Sequence, residues 1–95
     1  SYNSSADALK AMLELFGLFK AKTKWLVVGD ILEQGEREAE VHKKAAHEIH
    51  KQAFDKVILV GPRVKEHTAP ELRKLGFKAE SLMVFVDPKD ALTYL

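Results

Sequence analysis

The stretch KWLVVGD, residues 24–30, decides the fold. Trp25 to Val28 form a continuous apolar run that ends in Gly29-Asp30, the pattern of a parallel strand buried on both faces. The theme returns in KVILVGP (56–62) and again in LMVFVDP (82–88). Between the first two runs a polar-rich helix is predicted from about Glu36 to Phe54. Its inward stripe is Ala39, His42, Ala45, Ala46, Ile49 and Ala53, small enough to pack close to a sheet. A shorter helix is predicted over Pro70 to Leu75, with Pro70 in the first turn and Gly76 as C-cap. Asp87 then reads as an N-cap, with Pro88 at the first position of a last helix. Upstream of residue 24, Leu9, Met12, Leu13, Phe16 and Phe19 make one helical stripe, which Ser4 or Ser5 can cap. Strands alternating with helices imply right-handed crossovers. The fold class is therefore α/β, a three-layer αβα Rossmann-like domain with a mainly parallel sheet.

Ninety-five residues make one domain, 1–95. The first helix has no strand before it and the last begins just short of Leu95, so the chain reads as a piece of a larger protein. Hydrophobic residues at 46% and charged residues at 31% are ordinary for a globular chain. A net charge of +1, with the lysines spread out, argues against a nucleic-acid footprint. The absence of cysteine excludes a disulfide framework and a thiolate metal site. No apolar run approaches the ~18–20 residues of a membrane span, and no signal peptide pattern is present. The expectation is a cytoplasmic chain with no membrane insertion.

In open parallel sheets, ligands gather at the C-terminal ends of the strands. Three loops qualify here: VGDILEQGE, VGPRVKE and VDPKD. None matches G-x-x-x-x-G-K-S/T or G-x-G-x-x-G, so the chain carries no phosphate-binding signature of its own. Asp30, Glu33 and Glu36 could contact a cation, an amine or a ribose hydroxyl, or could simply cap and solvate the turn. His42 lies on the inward stripe, where a buried structural histidine competes with a site role. His47 and His50 could share a helix face, but lack a third ligand at convincing spacing. Arg63, just past a strand end, could grip a carboxylate or phosphate or stay solvated. No nucleophile elbow and no cysteine support covalent catalysis, so no catalytic residue and no metal ligand is assigned.

Two segments together resemble a known family. SYNSSADALKAMLELF is similar to the loop and helix that open the C-terminal domain of the Mur ligases, usually Asp-x-Tyr-Asn-Ala-Asn-Pro. WLVVGDILEQGEREAEVH resembles the next strand and loop, with Gly29, Asp30, Leu32, Glu33, Gly35, Glu36 and His42 in register. DKVILVGP fits the strand after it. The pattern is closest to UDP-N-acetylmuramoyl-tripeptide–D-alanyl-D-alanine ligases. Ala6 stands where the family has proline, and the closing Lys-Gly-Ser-Arg strand is absent.

The resemblance implies an ATP-dependent amide ligase of peptidoglycan precursor synthesis, acting through an acyl phosphate. It implies ATP and Mg2+ bound mainly by a missing central domain, and UDP-N-acetylmuramoyl-peptide and D-alanyl-D-alanine as partners. Tyr2 and Asn3 would face the nucleotide. Asp30, Glu33, His42 and Arg63 would line the substrate cleft, in a domain inactive alone. Two alternatives stand beside it: the same domain of a folylpolyglutamate synthase, and a free-standing Rossmann-like nucleotide-binding module.

Overall fold

The computed structural model describes residues 24–94, so the first predicted helix, Tyr2 and Asn3 lie outside the described residues. Three strands form a parallel sheet in the order β1-β2-β3: β1 (Trp25–Gly29), β2 (Lys56–Val60) and β3 (Leu82–Phe85). Val27 is in register with Ile58, and Ile58 with Met83. The α/β expectation holds. Helices α1 (Glu38–Lys51), α2 (Ala69–Lys74) and α3 (Pro88–Tyr94) flank the sheet.

Side chains alternate faces along a strand, and β2 is buried on both. Val57 and Leu59 pack with Ala46, Ile49, Val64, Ala69 and Leu72 under α1 and α2. Ile58 and Val60 pack with Val27 and Ala91 of α3 on the other face. Strand order decides this split. Two right-handed crossovers stepping the same way put α1 and α2 on one side. Each fully buried aliphatic side chain contributes roughly 1.5–3 kcal/mol, and β2 together with Leu72 and Val64 supplies most of them.

The caps explain where elements stop. Gly76 (φ 91) donates to the Arg73 carbonyl and Phe77 to the Leu72 carbonyl, closing α2 in a Schellman turn that the glycine foreshadows. The Asp87 carboxylate accepts the Lys89 amide at 2.8 Å, the N-cap expected ahead of Pro88. Helix α1 departs from expectation at both ends. A 3-10 turn (Gly35–Arg37) leads into it, and it stops at Lys51. Ala53, read as part of the stripe, sits exposed in a turn at φ 54, so the packed face is His42, Ala46 and Ile49.

The segment after β2 departs further. Residues 62–74 are helical throughout, although VGPRVKE reads as a loop. Val64–Thr68 is a π turn, in which the Ala69 amide reaches the Val64 carbonyl. Proline at position 70 lacks an N–H and would crowd the carbonyl of an α-helical turn before it. The wider π turn gives that carbonyl room.

A side-chain hydrogen bond clips α1 to α2. His47 Nε2 lies 2.7 Å from Glu71 Oε2, and this hydrogen bond holds the Glu71 carboxyl below its usual value. A depressed carboxylate contributes stability above its unfolded pKa and loses it as pH falls through the folded one. Glu71→Gln is therefore expected to cost stability at neutral pH. The gap to the parent should shrink once pH drops through ~4.3, the ordinary glutamate value. Urea denaturation across that range checks it; a pH-independent gap would refute the assignment.

Candidate functional site

The C-terminal ends of β1 and β2 bring together Asp30, Arg63, His42 and Glu38. Asp30, the residue after β1, is nearly buried. Its Oδ1 accepts the Arg63 amide at 3.0 Å and the Val64 amide at 2.9 Å. A carboxylate from one strand end thus caps the helix that leaves the next. Gly61 makes this approach possible. A Cβ on it would lie 2.3 Å from Asp30 Oδ1, and its φ of 137° suits glycine alone.

Arg63 closes the cluster. Its Nη1 donates to Asp30 Oδ2 at 3.2 Å and its Nε to Glu38 Oε1 at 2.7 Å. Glu38 first, and Asp30 second, hold the guanidinium pKa above its ordinary value. Two carboxylates share one guanidinium, so the cluster is net negative. An external carboxylate or phosphate must compete with both for Arg63. His67 Nε2 flanks the group, 3.7 Å from Glu38 Oε2.

His42 is fully buried. Its Nε2 accepts the Ile31 amide at 3.1 Å, so the proton sits on Nδ1, which donates to the Glu38 carbonyl at 2.7 Å. Thr68 Oγ1 in the π turn donates to the His42 carbonyl at 2.9 Å. The ring thereby anchors the start of the loop that carries Leu32 and Glu33. Glu33 stands apart: it is exposed, in the left-handed region at φ 62. Glu36 is exposed as well, in the 3-10 turn.

Sequence reasoning missed Glu38. Its signal was available, since it lies four residues before His42 on the same helix face. His47 pairs with Glu71, and no group of three metal-ligating side chains occurs among the described residues.

A groove of about 270 Å³ adjoins the cluster, lined by Asp30, Leu32, Gly61, Pro62, Val86 and Pro88. A larger depression, about 350 Å³, lies at the opposite edge between the ends of α1 and α2, beside Phe54, Phe77 and Lys78. The smaller one sits where strand ends and helix starts converge, which is where parallel sheets place ligands.

Residues 1–95 match the family Mur ligase, glutamate ligase domain. The chain belongs to the Mur ligases. Neither a curated protein nor a solved structure matches it. Membership gives the loop geometry its context: a Mur-type ligase role in peptidoglycan synthesis, within a family of ATP-dependent ligases. In this Mur ligase domain the GDILEQGE loop and the GPR turn meet through Asp30 and Arg63. No described helix is long and apolar enough to cross a membrane.

Proposed function

We propose that this is the C-terminal, amine-presenting domain of a UDP-N-acetylmuramoyl-tripeptide–D-alanyl-D-alanine ligase. One observation carries the reading. The loop that bears the closest family pattern, GDILEQGE, is tied into a net negative cluster at the strand ends. Such a cluster draws a cationic ammonium group and disfavours anions. In the reaction, the terminal carboxylate of the tripeptide takes the γ-phosphoryl of ATP and becomes an acyl phosphate. The dipeptide amine, having lost its proton, forms the C–N bond as the C–O bond to phosphate breaks.

This chain's part is positioning. On this reading Asp30 and Arg63 form the polar edge of the cleft where the amine arrives, Glu33 stands exposed on the loop beside it, and His42 holds that loop through Ile31. The nucleotide-binding role falls, by the family resemblance, to Tyr2 and Asn3. Domain closure aligns amine and acyl phosphate and excludes water. ATP and Mg2+ are held mainly by other domains of the same protein, in the cytoplasm.

The test uses the full-length ligase with UDP-N-acetylmuramoyl-tripeptide, ATP and Mg2+, offered D-alanyl-D-alanine or glutamate. ADP release that depends on the dipeptide is expected. Release that depends on glutamate, or on a folate acceptor in place of the nucleotide-linked peptide, would sink the proposal.

A further inference from the structure

We propose that the depression of about 350 Å³ at the N-terminal edge of the sheet binds a small aromatic acid, a flat ring bearing one carboxylate or phosphate. Asp55, just before β2, and Ser81, just before β3, place it at the edge away from the Asp30 and Arg63 cluster. The site stands whichever amine the ligase takes. The hollow lies between two helices that end in the same way. Each has a left-handed residue past its last turn, Ala53 (φ 54) after α1 and Gly76 (φ 91) after α2. Each of these is followed by a phenylalanine, and both Phe54 and Phe77 line the gap.

The walls are held in place before any ligand arrives. Alanine adopts a left-handed turn only under strain, and Lys24 pins this one from outside. The Lys24 amide donates to Asp55 Oδ2 at 2.7 Å, the Asp55 amide to the Lys24 carbonyl at 2.8 Å, and the Lys24 ammonium to the Gln52 carbonyl. Phe54 and Phe77 are partly buried, packed against the core under α1 and α2. Aromatic pairs gain offset or edge-on contacts beyond the area they bury, so such walls suit a flat ring. The volume lies at the lower end of the ~300–1,000 Å³ of small-molecule sites, room for one ring and its head group.

Two opposing effects decide the head group. Helix C-termini carry partial negative charge, which favours a cation. Here those ends are already satisfied. The Ile49 and His50 carbonyls accept the Gln52 and Ala53 amides, and the Leu72 and Arg73 carbonyls accept those of Phe77 and Gly76. The carboxylate of the lining, Asp55, is engaged with the Lys24 amide. His50, Lys78 and the Ser81 hydroxyl, by contrast, have no hydrogen-bond or ion-pair partner among the described residues. Side chains therefore set the sign, and an anion finds donors in all three. Lys51, Arg73 and Lys74, in the last turns of α1 and α2, add positive charge at the same edge. Hydrogen bonds from a charged donor to a carboxylate or phosphate are about twice as strong as neutral ones, so the anion wins.

Ligand-observed NMR titrations of the full-length ligase test the assignment, with ADP and Mg2+ in excess to fill the nucleotide site. The probes are phenylacetate, phenyl phosphate and benzylamine. Both acids are expected to bind with Kd ~0.1–1 mM, the scale for ligands of this size, and benzylamine about tenfold more weakly. Lys78 is exposed, so the fold should tolerate Lys78→Glu. That variant should weaken both acids about tenfold or more and reverse the preference towards benzylamine. Phe77→Leu keeps an apolar wall without the ring and should weaken the acids ~2–10-fold. The tighter of the two acids identifies the head group. Acids that bind Lys78→Glu as well as the parent would overturn the proposal, as would equal affinity for acids and amine. So would a parent that binds neither acid, the result expected if another part of the full chain fills the hollow.

Discussion

Gly61→Ala is expected to be the most damaging single methyl that can be added to the described part of the chain. Two costs combine. The backbone sits at φ 137, where an L side chain is strained by about 1–3 kcal/mol. The new Cβ would also stand 2.3 Å from the Asp30 carboxylate, which must then leave its amides on Arg63 and Val64. Losing that cap adds about 1–2 kcal/mol. The sum, roughly 2–5 kcal/mol, is a large share of the ~5–15 kcal/mol that holds a typical domain together. Thermal unfolding should fall by ~4–8 °C for each kcal/mol lost. A double-mutant cycle separates the two costs. In an Asp30→Gly background the clash partner is gone, so Gly61→Ala should cost only the backbone part. Equal costs in both backgrounds would show that the close approach is unimportant.

His42→Ala is expected to come next, at about 2–4 kcal/mol. The ring is fully buried, and removing it leaves a cavity and an Ile31 amide without its acceptor. The damage has an address. Hydrogen exchange at Ile31 should accelerate beyond the global loss of stability, because the loop start is released locally. His42→Gln, which keeps an acceptor, should restore part of the protection. Exchange at Ile31 that merely tracks global unfolding would argue that His42 is a space-filling residue only.

The strands were legible because buried parallel strands leave an unbroken signal. Trp25 to Val28, Val57 to Val60 and Leu82 to Phe85 are all apolar. Gly76 and Asp87-Pro88 marked their turns because their chemistry acts on the next few residues. The helix start at residue 62 was not legible. Its cap is Asp30, 33 residues before Arg63, and no local pattern announces a partner at that distance. The end of α1 was hidden for a related reason: Ala53 adopts a left-handed turn that sequence assigns to glycine or asparagine. In the site, Asp30, His42 and Arg63 were singled out by position and by the family resemblance. Their mutual bonds, and Glu38 as the second acid on Arg63, needed the three-dimensional register of α1 against the 62–74 helix.

The π turn at Val64–Thr68 sets how that register is kept. It lodges an extra residue between Arg63, which faces the cluster, and Leu72, which faces the core. An α-helix advances about 100° per residue. Trimming one residue from 64–68 would leave a smoother helix with its core side intact, yet swing Arg63 by about a quarter-turn from Glu38 and Asp30. The irregular turn works like an offset tooth between two gears. It lets one helix mesh with the hydrophobic sheet at one end and with the acidic strand edge at the other, two surfaces that an even pitch would leave out of phase.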